Sequence, residues 1–253
     1  MLRYLKTPPG PVWAPARDRK IYIVWIALIW AGMIAGFPPD LARYFGEKPP
    51  PPFILHFHGV AYFVWLLLVT AQVALIEVKK PSLHRRLGWA VVVVSAALVP
   101  LGLVAAMVDQ ARQVGHPDYA PEFLALEFQS MVVFGALIAA ATLLRRDLAA
   151  HKRLMVLAAV CILDPGTSRA FGFFSPWKPP GAFGWWLGYF WADVLMVVLM
   201  IGWDVWKKGR PHPALLGGGV LIAAGEAVAV WLQFAPWWHG EMVRLVTLWG
   251  WAG

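Results

Sequence analysis

Apolar residues in this chain fall into long uninterrupted blocks separated by short polar segments, without the narrow stripe of an amphipathic surface helix. A helix needs about 20 apolar residues to cross the hydrocarbon core of a bilayer. Seven blocks reach that range, at 21–37, 54–78, 88–108, 123–144, 154–174, 184–205 and 214–234. They predict an all-α fold, a polytopic transmembrane bundle of seven helices that forms one domain over residues 1–253.

Composition agrees. Hydrophobic residues make up 60% of the chain and charged residues 14%, where a soluble domain carries roughly a quarter charged. Too little polar surface remains to coat a water-soluble globule, so the lipid bilayer is the first expected partner.

Charge then orients the spans. Of 22 basic residues, 16 lie in the segment before the first span and in the second, fourth and sixth connections, for example Lys79, Lys80, Arg85 and Arg86, or Arg145, Arg146, Lys152 and Arg153. The other side holds Arg43, Lys48, Arg112, Lys178 and Arg244, and Arg169 lies within the fifth span. Basic loops stay in the cytoplasm. The pattern predicts a cytoplasmic N-terminal segment, 1–20, and an outer C-terminus, as in a bacterial inner-membrane protein. The net charge of +8 is then read as contact with anionic lipid head groups on the cytoplasmic side, with no nucleic-acid partner. The basic start runs into an apolar block with no small-residue cleavage site, which predicts a retained helix. The tail 236–253, with Trp237, Trp238, Trp249 and Trp251, predicts an outer interfacial segment. Pro49 to Pro52 predict a stiff polyproline II entry into the second span.

A weak internal repeat runs through spans 2–5. His56-Phe57-His58-Gly59 and Glu127-Phe128-Gln129-Ser130 open the second and fourth spans. His84-Arg85-Arg86-Leu87 and His151-Lys152-Arg153-Leu154 open the third and fifth, and Pro100 and Pro165 follow. Spans 2–3 and 4–5 thus read as one duplicated hairpin about an axis along the membrane normal. The repeat makes His56 equivalent to Glu127, His58 to Gln129 and His84 to His151.

Ionisable residues at membrane depth are costly and mark candidate sites. His56, His58 and Glu127 fall in the outer half and form a histidine–carboxylate set suited to a transition metal or to a proton relay. Residues two apart on a helix point about 200° apart, so His56 and His58 face different neighbours unless the helix starts late. His84 and His151, at equal depth on the inner side, are candidate haem ligands or, alternatively, head-group contacts. Gln129, Asp164, Arg169, Asp193 and Glu226 form a supporting polar set near the middle. At Asp164-Pro165-Gly166 the proline lacks a backbone donor, which predicts a broken helix. Arg169 is expected either to neutralise Asp164 or Asp193 or to bind a ligand with them. The single cysteine, Cys161, reads as a small buried hydrophobe.

Several chemistries are excluded. The seventh span has no lysine for a Schiff base, and the chain lacks HExxH, GxSxG and P-loop patterns and any cysteine cluster.

The motifs His56-Phe57-His58-Gly59, His84-Arg85-Arg86-Leu87-Gly88 and His151-Lys152-Arg153-Leu154-Met155 resemble those of poorly characterised bacterial inner-membrane families. Some of these are linked to haem–copper oxidase assembly. The resemblance covers 53–174 and implies His56, His58, His84 and His151 as marked positions. It departs from the cytochrome b561 pattern, because the fourth span has no histidine to face the second. The leading expectation is an accessory or assembly factor of a membrane redox system, with haem or a transition metal as cofactor. The alternatives are a proton-coupled transporter with a midplane carboxylate site, a scaffold bound to other membrane subunits through its tryptophans, and a zinc hydrolase.

Overall fold

The computed structural model describes residues 19–48, 50–117, 119–177 and 179–249. All regular structure among them is helical, in the order α1 (Arg19–Gly46), α2 (Phe53–Glu77), α3 (Pro81–Arg112), a 3-10 turn (Pro121–Phe123), α4 (Leu124–Leu143), α5 (Leu148–Val160), α6 (Asp164–Phe174), α7 (Gly181–Lys208), α8 (Pro213–Gln233) and α9 (Pro236–Trp249). Six of these are long and apolar enough to cross a bilayer, and with the bent pair α5–α6 counted as one span the number is the seven that the apolar blocks predict.

The boundaries differ where charge enters a helix. The first apolar block ends at Phe37, yet α1 runs on through Pro38 and Pro39 to Gly46. The added turns carry Asp40 and Arg43, and Glu47 follows one residue past the helix end, at the i,i+3 and i,i+4 spacing that lets these side chains pair. The third span likewise extends to Arg112, which bonds Asp109 one turn earlier at 2.8 Å. The C-terminal tail is helical over its described part, Pro236–Trp249. On α9, Met242 and Val246 pack against Ala106, Met107 and Leu124. Trp238 Nε1 donates to the Glu122 carbonyl at 3.1 Å, and His239 Nδ1 lies 2.7 Å from the Glu122 carboxylate. Arg3, Lys6, Arg17 and Trp251 lie outside the described residues, as does Pro49 of the proline run. Pro52 caps α2 in extended geometry (φ −60°, ψ 152°), close to polyproline II.

The fifth span breaks where the sequence requires. Asp147 starts α5 as an N-cap, accepting from Ala149 N and Ala150 N at 3.0 Å. The helix ends at Val160, turns through Cys161, Ile162 and Leu163, and restarts at Asp164 with Pro165 in the first turn, bent by 47°. Pro100 interrupts nothing: α3 passes through it unbroken, so the two hairpins differ at their equivalent prolines.

Helix α6 is held by α1 through glycine. A Cβ on Gly36 would stand 1.8 Å from the Gly166 carbonyl, so the two backbones touch directly. At Gly32 the obstruction is side chain and not backbone, Leu163 Cδ1 at 2.7 Å and Thr167 Cγ2 at 2.8 Å. The central core stacks Trp65, Phe134, Leu98, Leu137 and Leu157. Trp65 Nε1 donates to Ser95 Oγ at 2.6 Å, and Trp30 Nε1 to Thr70 Oγ1 at 2.9 Å, so these buried indoles are satisfied.

The two ends of the bundle differ. The basic end contains the α2–α3, α4–α5 and α7–α8 connections. Arg153 there is not a loop residue in contact with head groups: it is 2% exposed and donates to both oxygens of Asp204, also 2% exposed, with Nε at 2.8 Å. Asp204 further accepts His212 N at 3.1 Å, so one carboxylate ties α5, α7 and the cap of α8. The opposite end contains the α1–α2, α3–α4 and α6–α7 connections and α9.

Two stability predictions follow from these contacts. In detergent, Asp204→Ala is expected to lower the unfolding temperature by the equivalent of about 3–5 kcal/mol, because it strands a buried guanidinium. Adding Arg153→Leu should restore much of that loss; an Asp204→Ala protein that melts like the parent contradicts the pair's role. Gly36→Ala should cost about 1–3 kcal/mol by forcing the backbones apart. Gly32→Ala should cost less, and Gly59→Ala, which meets nothing within 4 Å, should cost nothing. Equal melting of all three would refute the close contact.

Candidate functional site

A cavity of about 1600 Å³ opens at the end opposite the basic one, between α1, α2, α3, α4, α6 and α7. It runs from helix-end residues Glu47, Asp109, Arg112 and His116 down to Cys161 and Asp164 at the break in the fifth span. Irregular backbone at membrane depth is tolerated where it is buried or lines such a space.

Ion pairs frame the mouth. Arg43 donates to Asp40 (Nε to Oδ1, 2.6 Å) and to Glu47 (Nη1 to Oε1, 2.7 Å). Arg112 on α3 reaches Glu47 Oε2 at 2.8 Å. Arg169 on α6 reaches Asp40 Oδ2 at 2.8 Å, and its Nη1 donates to the Pro165 carbonyl at 2.6 Å. Its guanidinium also lies 5.0 Å from the centre of the Phe37 ring. The network joins α1, α3 and α6. It corrects one sequence expectation: Arg169 pairs with Asp40, and neither Asp164 nor Asp193 is its ion-pair partner. Asp40, Glu47, Asp109 and Arg112 were missed because they lie beyond the apolar blocks. The signal was present in the i,i+3 and i,i+4 spacing of Asp40, Arg43 and Glu47 and of Asp109 and Arg112.

Five of the sequence-predicted residues line this one cavity: His56, His58, Glu127, Asp164 and Arg169. The two histidines diverge as the helical geometry requires. His56 Nδ1 is 3.1 Å from the Tyr44 hydroxyl on α1. His58 packs its ring 4.7 Å from that of Tyr62, one turn along α2, and its buried Nδ1 has no hydrogen-bond partner among the described residues. Tyr62 points onward, its hydroxyl donating to Met131 Sδ at 2.8 Å. Glu127 Oε2 and Asp164 Oδ1 are likewise buried without a partner among the described residues. Asp164 is 2% exposed. The carboxyl of Asp193 on α7 is its neighbour, also 2% exposed, and one of its oxygens is likewise buried without a partner among the described residues.

The remaining candidates stand elsewhere. Gln129 turns to α8, where its Oε1 would meet a Cβ on Gly225 at 2.8 Å. Glu226 accepts from Trp186 Nε1 at 2.9 Å. Of the positions that the repeat pairs, His56 and Glu127 both line the cavity, whereas His58 lines it without Gln129. His84 and His151 meet at the basic end, ring centroids 6.4 Å apart and planes at 87°. His151 Nδ1 donates to the Ala141 carbonyl at 2.9 Å, and His84 Nδ1 lies 3.3 Å from the Gln72 carbonyl.

Among the described residues, no group of three or more His, Cys, Asp or Glu side chains is arranged to hold a metal ion. Catalytic and structural transition-metal sites use at least three protein ligands as a rule. The chemistry this cavity offers is polar recognition: buried acceptors at its deep end, a paired-charge rim and an aromatic wall. No protein-family model, no curated protein and no solved structure matches this chain.

Proposed function

We propose that this integral membrane protein is a proton-coupled carrier of a bacterial inner membrane. In this reading the basic end faces the cytoplasm and the cavity opens outward. One observation carries it: a large cavity with a mainly apolar wall runs from one end of the bundle to the interrupted fifth span, and ends there on the buried carboxyl of Asp164. Carriers place their sites near the midplane, on broken helices. The buried Arg153–Asp204 pair supports the same reading, because it closes the bundle on the side away from the cavity. In this reading the neighbouring carboxyls of Asp164 and Asp193 hold one proton between them, and that proton is the coupling element. Ligand occupancy beside Asp164 changes the field on the pair, and the proton leaves or stays accordingly.

A carrier exposes its cavity to each side in turn. In a Cys161→Ser background, Ser168→Cys on the cavity wall should react with a membrane-impermeant maleimide in intact cells and also in inverted vesicles. Asp164→Asn should slow labelling from one side without abolishing the other. Reactivity from one side only, in both preparations and over long exposure, would leave a fixed binding cavity and end the carrier reading.

A second reading, the redox accessory with haem or a transition metal, draws support from His84 and His151. Their rings meet edge to face, and each Nδ1 is directed at a backbone carbonyl, the arrangement that orients ligating histidines. The purified protein should then show a Soret band or a stoichiometric metal that disappears in His84→Ala and in His151→Ala. A colourless, metal-free protein from haem-replete cells removes this reading.

A further inference from the structure

The charge in the cavity is balanced at its mouth and unbalanced at depth. Each arginine of the rim has a carboxylate: Arg43 has Asp40 and Glu47, Arg112 has Glu47 and Asp109, and Arg169 has Asp40. Lys48, at the rim, is exposed to solvent. Deeper in, Glu127 stands without a cation of its own. Arg169, which lines the same cavity, is bonded to Asp40 and to the Pro165 carbonyl. Among the described residues, Asp164 at the deep end likewise has no arginine bonded to it. Glu127 and Asp164 are therefore the unmatched acids of the cavity.

Hydrogen bonding points the same way. Glu127 Oε2, Asp164 Oδ1 and His58 Nδ1 are buried and without partners among the described residues, and all three residues line the cavity. Asp164 is 98% buried by the complement of its 2% exposure, so its free oxygen is a deep acceptor and not a solvated one. Buried acceptors in a low-dielectric interior call for a donor. Around them stand the rings of Phe37, Tyr62, Phe63, Phe123, Trp185 and Tyr189. Aromatic faces attract cations and pack apolar bodies.

We propose that the cavity binds a protonated primary amine with an aromatic or aliphatic body. The ammonium donates to Glu127, Asp164 Oδ1 serves as a further acceptor at the deep end, and the body lies on the aromatic wall. A quaternary ammonium supplies charge without N–H groups and leaves these acceptors unsatisfied. A carboxylate ligand places a second negative charge beside Glu127. The inference rests on the cavity being the carrier's ligand site, but it does not require that transport occur.

The test is calorimetric titration of the full-length protein in detergent, at fixed pH and salt, with phenethylamine and hexylamine. Phenylacetate and the N,N,N-trimethyl derivative of phenethylamine serve as matched probes. Both amines should bind, and the two matched probes should bind about tenfold or more weakly. Glu127→Gln should weaken the amines by a similar factor. Glu226→Gln, outside the cavity, should leave them unchanged. Phenylacetate binding as tightly as phenethylamine, failure of both amines to bind, or an unaltered affinity in a folded Glu127→Gln protein overturns the proposal. Should that variant not fold, the ligand series on the native protein decides alone. Amine binding with a cavity cysteine reactive from one side only would keep the amine site and discard the carrier. Two-sided reactivity with no amine binding would do the reverse.

Discussion

A helix interrupted inside a low-dielectric slab exposes backbone groups that lipid cannot satisfy, and the fold is organised around meeting that condition. At the break in the fifth span, Cys161 N still reaches the Leu157 carbonyl at 3.0 Å, Leu163 N bonds the Val160 carbonyl at 2.8 Å, and Thr167 N bonds the Leu163 carbonyl at 3.1 Å. Proline at 165 brings no donor that would need a partner. Helix α1 then covers the restart so closely that only glycine fits at 36 and 166. The cavity, the position of Asp164 and the reach of Arg169 to Asp40 all descend from this one interruption.

Charge is distributed around that interruption in two distinct ways. At the basic end a single guanidinium and a single carboxylate are both fully enclosed and satisfy each other. Such a pair specifies a geometry more than it adds net stability, since both ions lost their hydration to form it. At the cavity end the ions form a chain, Arg169–Asp40–Arg43–Glu47–Arg112–Asp109, with much of Arg43 in contact with solvent. Below it the carboxyls have no such cations. The protein thus keeps its uncompensated acid where water thins out and its compensated charge where water is present. That ordering suits recognition better than it suits stability.

Much of this was legible in the chain. Long apolar blocks gave the spans, and Asp164-Pro165-Gly166 located the break, because proline's missing donor and fixed φ act locally. The clustering of His56, His58 and Glu127 at one end followed from helix periodicity and the repeat. What the sequence hid was pairing across distance. Arg169 finds Asp40 from a separation of 129 residues, and nothing in either local context ranks Asp40 above Asp164 as its partner. Arg153 sits in a run of basic residues that reads as loop charge, and only the arrival of Asp204 from α7 makes it a buried residue. The α9 helix was obscured because its tryptophans suggested interfacial chemistry before they suggested a helical face. Hydrophobicity reports depth well, whereas choice of partner depends on the packing of elements far apart in the chain.

The contrast between the two ends has a mechanical meaning. Enclosed ions are shielded from mobile counter-ions, whereas exposed chains of charge are weakened by them within about 10 Å at ordinary ionic strength. The Arg153–Asp204 clasp therefore keeps its stiffness across conditions, and the chain through Arg43 softens as salt rises. Ion pairing therefore holds the two ends of the bundle on different terms, one set by the fold alone and one set also by the electrolyte around it.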